Sequence, residues 1–142
     1  MRRIAGLVAD YTYVGRSRLR YWRYGSRPPA PLEAGPDAPP PVLLLPGVFE
    51  TWHYMKPIRD RLVGLGIPVH SVPELGFNRH PIPVMAERAA AYLDEHDLHG
   101  VRIVAHSKGG LIGKSLLVAD DPAAGGDGRL ERMLSINTPY GG

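Results

Sequence analysis

The feature that most constrains the fold is a regular alternation of short apolar runs with helical patterns after residue 41. The apolar runs lie at 42–45, 67–72, 101–105 and 133–136. Between them, apolar residues recur every three or four positions, at 55–65, 85–96 and 108–119. Spacing of this kind predicts helices, and helices that alternate with short strands predict right-handed βαβ units. We therefore expect a parallel sheet with helices on its faces.

The composition excludes several kinds of protein chemistry. The 142 residues include no cysteine, so disulfides, thiolate catalysis and cysteine-based zinc sites are excluded, and the composition fits a cytoplasmic protein. No apolar run is long enough for a membrane span, and the first residues lack the pattern of a secretory signal. The six histidines are scattered without paired spacing on one helix, so we predict neither a metal nor a cofactor.

The charge is unevenly distributed along the chain. Residues 1–27 carry seven arginines and one aspartate, whereas the rest of the chain is net acidic. A nucleic-acid partner is therefore not expected. Helix-like spacing of apolar residues predicts that residues 1–27 are helical. This segment is interpreted either as a packing helix with a solvated basic face or as a contact with an anionic membrane surface through Arg16, Arg18, Arg20 and Arg23.

Residues 28–41 hold seven of the fifteen prolines. Such a stretch cannot sustain a helix or a central strand, so it is predicted to be a semi-rigid linker. The predicted organisation is therefore a basic segment at 1–27, a linker at 28–41 and an α/β domain portion at 42–142.

A serine lies at the turn between the third apolar run and the third helical pattern. The turn reads Ala-His-Ser-Lys-Gly, from Ala105 to Gly109. Small residues two positions either side of Ser107 let strand and helix approach closely, so that the hydroxyl projects freely from a sharp turn. The first N–H groups of the helix then point toward an oxygen on which negative charge develops. The alternative is that Ser107 merely caps the helix.

Two further patterns bear on the same edge of the sheet. Pro46-Gly47 follows the first apolar run, where a backbone N–H just beyond the glycine could face the serine. The overlapping stretch 109–115 resembles a phosphate-binding loop, but that loop needs four residues between its glycines and this stretch has three. Nucleotide binding is therefore the least favoured interpretation.

These turns, in this order and together with Asn-Thr-Pro-Tyr-Gly-Gly at 137–142, resemble the α/β-hydrolase superfamily and within it bacterial lipase- and esterase-like proteins. The resemblance covers about residues 41–142. It implies that Ser107 is the nucleophile and that the N–H groups of Val48 and Lys108 form the oxyanion hole, with Phe49 as the alternative donor. Pro46 stands where many relatives have histidine, and Ala105 replaces the commoner glycine.

The resemblance also implies a missing part. The family's triad runs serine, acid, histidine along the chain, yet no histidine follows Ser107 and the carboxylates after it are Asp120, Asp121, Asp127 and Glu131. By resemblance the sequence stops after the sixth family strand, so the chain is expected to be truncated. His53 and His80, near the catalytic edge, are the candidates for a substitute base. His106 is expected to point elsewhere, and His70, His96 and His99 are interpreted as structural.

The predicted function is hydrolysis of carboxylic esters through an acyl-enzyme on Ser107, with a small-molecule or lipid ester as substrate. Because the acid and histidine are missing, efficient turnover by this chain alone is not expected. The alternative is a catalytically incomplete remnant or a binding-only protein. An acyl pocket is predicted from Trp52, Tyr54, 76–78 and 81–83, which could equally be core and turns, and hydrolases and acyltransferases look alike at this level.

Overall fold

The computed structural model describes Thr12, Tyr13, Gly15, Arg16, Leu19 and residues 27–141. Four strands alternate with three helices, which confirms the predicted α/β class. The strands are β1 (Val42–Leu45), β2 (Val69–Ser71), β3 (Val101–His106) and β4 (Leu130–Ile136). The helices are α1 (Lys56–Val63), α2 (Ile82–Glu95) and α3 (Lys108–Asp120). Short 3₁₀ turns lie at Trp52–Met55, Pro73–Leu75 and Pro122–Ala124.

The four strands form one parallel sheet in the order β2-β1-β3-β4. Leu45 pairs with Ala105, so the chain leaves β1 and β3 side by side at the carboxyl edge. Helix α1 packs on one face of the sheet, and α2 and α3 pack together on the other. The connections after β1 and β3 therefore run to opposite faces. In open parallel sheets, such a point leaves a crevice where ligands bind.

Apolar layers on both faces explain why β1 is apolar at every position. Leu43 and Leu45 lie in the layer under α2 and α3, whereas Val42 and Leu44 lie in the layer under α1. All four residues of β1 are at most 5% exposed. Such a strand is buried on both faces, so it lacks the alternation of a half-exposed strand.

Several predicted element boundaries differ from the structure. Helix α1 ends at Val63 rather than beside Gly66, which lies in the following turn with a φ of +76°. Strand β2 begins only at Val69. Strand β4 begins at Leu130, ahead of the predicted start at Met133. Its first residues include the exposed Glu131 and Arg132, so no apolar run marks them in the sequence.

Only part of the basic segment can be compared with its prediction. Of residues 1–26, the structure describes five, and all five are helical: Thr12, Tyr13, Gly15, Arg16 and Leu19. The others, including Arg18, Arg20 and Arg23, lie outside the described residues. The Tyr13 hydroxyl donates to the Tyr54 carbonyl, and the two rings meet edge to face at 5.1 Å. Residues 28–41 contain neither helix nor strand. Within the described part of the chain, no helix combines the length and the apolar character needed to cross a membrane.

Candidate active site

Ser107 occupies the junction between β3 and α3 in an unusual backbone conformation. Its φ and ψ are +51° and −122°, a region that non-glycine residues rarely adopt and that costs of order 1–3 kcal/mol. Its N–H donates to the Ile136 carbonyl at 2.9 Å. Although Ser107 sits at the N-cap position of α3, its side chain makes no capping hydrogen bond. The interpretation of Ser107 as a simple helix cap is therefore wrong, and the strain needs another explanation.

The glycines after Ser107 let α3 begin in contact with the strands. A methyl group on Gly109 would lie 2.1 Å from the Leu45 carbonyl oxygen, and one on Gly110 would lie 2.0 Å from Thr138 Oγ1. These distances are far inside van der Waals contact, so larger residues would displace the helix. A methyl on Gly113 would lie 2.4 Å from Met133 Sδ, a flexible side chain that can move aside. Gly109 and Gly110 thus let the start of α3 lie against β1 and against Thr138, just beyond β4.

The turn after β1 contains Val48 and Phe49, two of the three residues whose N–H groups are predicted as oxyanion-hole donors. It spans Gly47 to Glu50, with the Glu50 N–H donating to the Gly47 carbonyl at 3.2 Å and Phe49 at a φ of +59°. The Phe49 N–H donates to the Phe77 carbonyl at 2.7 Å, so Phe49 is engaged elsewhere and its prediction as the alternative donor is wrong for this structure. The N–H groups of Val48 and Lys108 donate to no acceptor among the described residues.

A carboxylate–histidine pair joins the two turns. Glu50 Oε2 accepts the Gly47 N–H at 2.7 Å and lies 2.9 Å from His106 Nδ1. Both side chains are less than one-fifth exposed, and the His106 ring packs on Tyr54 at 5.0 Å. His106 therefore points toward Glu50, as expected for a residue next to the serine. A methyl on Gly47 would meet the same carboxylate at 2.8 Å, so the Glu50 side chain would have to shift.

A second set of contacts ties the loop at 76–80 to both turns. Asn78 is fully buried, and its amide Nδ2 donates to the Pro46 carbonyl at 2.7 Å. Lys108 Nζ donates to the carbonyls of Asn78, at 2.7 Å, and of His80, at 2.5 Å. Burial lowers the pKa of the Lys108 ammonium. This role of Asn78 has one signal in the sequence, an asparagine after Gly76-Phe77, because asparagine tolerates a positive φ; its φ is +52°.

The candidate substitute bases are not bonded to the serine. The Ser107 hydroxyl has no hydrogen bond to any described residue. His53 is fully buried, with its Nδ1 3.1 Å from Thr51 Oγ1 and its ring stacked on Trp52. The His80 side chain is exposed. Among the described residues, no histidine is in hydrogen-bond contact with the serine.

The remaining histidines have structural surroundings. His70 lies in β2 against Tyr92, and burial, with a smaller contribution from His96, lowers its pKa to about 4. Burial, reinforced by nearby carboxylates, raises the pKa of Tyr92 to about 12. His96 stacks on Tyr92 at 4.0 Å, and exposed His99 lies 3.0 Å from Asp97. In the part of the chain that the structure describes, no group of three or more metal-binding side chains occurs.

The carboxylates after Ser107 stabilise the other end of α3. Asp120 accepts the Leu130 N–H at 2.7 Å, and Asp121 accepts the Ala123 N–H at 2.9 Å. A helix of this length spans about 18 Å, so both lie near the amino edge of the sheet, away from Ser107. Asp127 pairs with Arg129 at 3.3 Å, and Glu131 with Arg102 at 2.9 Å. None of these carboxylates is bonded to a histidine.

The phosphate-loop interpretation of 109–115 is wrong because the whole stretch lies inside α3. Its backbone N–H groups beyond the first turn are committed to the helix, and Ile112 is fully buried in the core.

Comparison with known proteins supports the fold. No protein-family model matches the chain, and no curated protein matches it. Among solved structures, the chain is similar to an extracellular α/β-hydrolase from a Paenibacillus species, with a TM-score of 0.56 and 17% identity. The match covers 70% of this chain and 41% of that one. Together with the parallel sheet and its flanking helices, this likeness establishes an α/β-hydrolase-like fold.

Proposed function

We propose that this chain carries the nucleophile half of a serine hydrolase that acts on carboxylic esters, of the lipase- and esterase-like kind. The observation that carries the proposal is the conformation of Ser107: a strained, positive-φ serine at a strand-to-helix turn whose hydroxyl does not cap the helix. Strain of this kind is typical of functional residues. The glycine contacts around it maintain the conformation at an edge where parallel sheets bind ligands.

In the proposed reaction, Ser107 Oγ attacks the carbonyl carbon of the ester and its hydroxyl proton passes to a water molecule, since no base among the described residues is bonded to it. The new C–O bond forms as the carbonyl electron pair moves onto oxygen, and the N–H groups of Val48 and Lys108 stabilise that oxyanion. Loss of one such donor costs about 10²–10³ in rate in comparable sites. The tetrahedral intermediate then expels the alcohol, which takes up a proton, and water hydrolyses the resulting acyl-enzyme.

The alternative function is binding without efficient turnover. It is favoured by the observation that the Ser107 hydroxyl has no histidine partner among the described residues. A serine without a general base is a weak nucleophile at neutral pH, although oxyanion stabilisation and binding alone can retain some 10³–10⁴-fold catalysis over water. A small-molecule or lipid ester remains the proposed substrate. Membrane-surface contact through the arginines at 16, 18, 20 and 23, and a cytoplasmic location, remain predictions.

The test is covalent labelling with a fluorophosphonate probe, followed by mass spectrometry of the labelled peptide. We expect the wild-type chain to be labelled slowly on Ser107 and Ser107→Ala not to be labelled. Ser115→Ala, which removes a serine from the middle of α3, is the matched control and should be labelled like the wild type.

Slow labelling can mean either that Ser107 is not a nucleophile or that Ser107 is a nucleophile without its base, and these two explanations must be distinguished. Any coding sequence that follows codon 142 should therefore be read, and a version of the chain that includes it should be labelled in parallel. Faster labelling of the longer chain at Ser107 supports a serine hydrolase. If the longer chain is not labelled either, the hydrolase proposal fails and the binding-only alternative is retained.

A further inference from the structure

The basic N-terminal segment contacts the α/β domain through Tyr13. Of the five described residues of this segment before residue 27, Tyr13 is partly buried, whereas the other four are exposed: Thr12, Gly15, Arg16 and Leu19. The Tyr13 hydroxyl donates to the Tyr54 carbonyl in the 3₁₀ turn at Trp52–Met55. The two rings meet edge to face at 5.1 Å, a geometry that aromatic pairs prefer. Tyr13 therefore anchors the described part of the basic segment on the 3₁₀ turn.

From Tyr54, a series of contacts continues into the interior. The Tyr54 ring packs on the His106 ring with their centroids 5.0 Å apart. His106 Nδ1 lies 2.9 Å from Glu50 Oε2, and the same oxygen accepts the Gly47 N–H at 2.7 Å. Four successive contacts thus connect Tyr13 to Gly47.

This series of contacts reaches both turns of the candidate site. His106 directly precedes Ser107 in the chain, and Gly47 directly precedes Val48. The side chains of Glu50 and His106 are only 16% and 18% exposed, so water competes little for the contact between them. Packed side chains and hydrogen bonds of this kind carry energetic coupling between separate parts of a protein. A change at Tyr13 is therefore expected to be felt at the turn that contains Val48.

We propose that Tyr13 is a positioning residue for the candidate site. It holds the Tyr54 ring against His106 and so maintains the bond between Glu50 and the Gly47 N–H. This effect on the turn does not depend on the chemistry of Ser107. Because the turn also presents the Val48 N–H, Tyr13 affects the reactivity of Ser107 as well, and this second effect rests on the proposed ester hydrolysis.

The effect on the turn is measured by the ¹⁵N–¹H signal of Gly47. An amide that donates to a carboxylate makes a short, charge-assisted hydrogen bond, so its proton signal reports that bond. Glu50→Ala removes the acceptor and defines the signal of the unbonded amide. We expect Tyr13→Ala to move the Gly47 signal in the same direction as Glu50→Ala does. Tyr13→Phe, which loses only the hydroxyl, should move it less and remains testable if Tyr13→Ala does not fold.

The effect on reactivity is measured by the rate of fluorophosphonate labelling of Ser107, under conditions in which each variant is fully folded. Tyr13→Ala should slow labelling about three- to tenfold, the size of effect typical of residues that act through a contact series. Leu19→Ala is the matched control, because Leu19 belongs to the same segment but is 69% exposed. It should leave both the labelling rate and the Gly47 signal unchanged.

A double substitution tests the route through the rings. His106→Ala removes the ring that connects Tyr54 to Glu50. In the His106→Ala background, Tyr13→Ala should have no further effect on labelling, because residues that act in series are not additive. If the effects of the two substitutions add, Tyr13 acts by another route and the proposal is overturned. Glu50→Ala provides the same background for labelling if His106→Ala does not fold.

The two measurements separate this proposal from the proposed function. If the wild-type chain is labelled and Tyr13→Ala is labelled at the same rate, the positioning role is overturned and ester hydrolysis stands. If the wild-type chain and its longer version are not labelled, ester hydrolysis fails and the Gly47 signal decides the role of Tyr13. A shift of that signal in Tyr13→Ala then supports the hold of Tyr13 on the turn, whereas an unchanged signal overturns it.

Discussion

The two flanks of the candidate site are built differently. On the β2 side, Val69, His70 and Ser71 are all buried, and the loop at 76–80 is bonded to the turns after β1 and β3. On the β4 side, Leu134 is 62% exposed and Ile136 is 39% exposed. One flank is thus closed by 3₁₀ turns, loops and the proline-rich segment, whereas the other is an open strand edge.

The difference shows which parts of the site this chain can preorganise. The closed flank positions the turn that carries Val48, through the bond from the Phe49 N–H to the Phe77 carbonyl. Among the described residues of the open flank, the Ile136 carbonyl accepts the Ser107 N–H, and Thr138 lies against Gly110. In the proposed function, oxyanion stabilisation therefore depends on the β2 side, and the described part of the β4 side offers no base for Ser107.

The largest expected effect on stability is that of a substitution that forces α3 away from β1. Gly109→Ala should destabilise the fold by about 3 kcal/mol or more, because the added methyl would overlap backbone atoms of Leu45 that cannot move aside. The measurement is urea-induced unfolding. Gly35→Ala, where a methyl group meets nothing within 4 Å, should change stability by less than about 0.5 kcal/mol. Equal effects of the two substitutions would show that α3 can shift to accommodate a side chain.

Acid should weaken the closed flank through His70. Its pKa is lowered from 6.5 to about 4, so the unfolded chain binds this proton more tightly than the folded one. The stabilisation is complete above the unfolded pKa and is lost as pH falls toward 4. Between about pH 7 and pH 5 we expect a loss of about 2 kcal/mol from this group. Urea unfolding at both pH values measures it. In His70→Gln the pH dependence should flatten, and an unchanged slope would contradict the assignment.

Two pairs of polar side chains, Glu50–His106 and Glu131–Arg102, compare the flanks directly. Glu50 and His106 are 16% and 18% exposed, whereas Glu131 and Arg102 are 38% and 41% exposed. Glu50→Ala leaves the Gly47 N–H and the His106 ring without a partner and should cost about 1–3 kcal/mol. Glu131→Ala should cost less than about 1 kcal/mol, since water screens exposed pairs.

The same two variants separate stability from positioning. Glu50→Ala should slow fluorophosphonate labelling of Ser107 even where the protein is fully folded, because Glu50 fixes the turn that presents the Val48 N–H. Glu131→Ala should leave the labelling rate unchanged. If both variants are labelled at the wild-type rate, Glu50 contributes to folding alone.

The closed flank also shows where sequence reasoning stops. The apolar runs predicted every strand, and the serine pattern predicted the turn at Ser107, because both signals are local. The buried Asn78, the Lys108 ammonium bonded to two carbonyls, and the Glu50–His106 pair join residues 28 to 56 positions apart. No periodicity records such contacts. Phe49 was mispredicted as an alternative donor for the same reason: its acceptor, Phe77, lies in another loop.

The smallest effect on stability is expected at the open flank. Leu134 is in β4 at the sheet edge and is mostly exposed, so Leu134→Lys removes little buried surface and should change the unfolding free energy by less than about 0.5 kcal/mol. An exposed apolar strand edge is, however, a template for pairing with another chain, and an added lysine opposes that pairing. We expect sedimentation to show less self-association of Leu134→Lys than of the wild type at high protein concentration. Lys at the exposed Val118, on α3 and away from the strand edge, is the matched control and should leave association unchanged. If Val118→Lys reduces association as much as Leu134→Lys, net charge rather than the open edge controls it, and the contrast between the flanks would then concern the site alone.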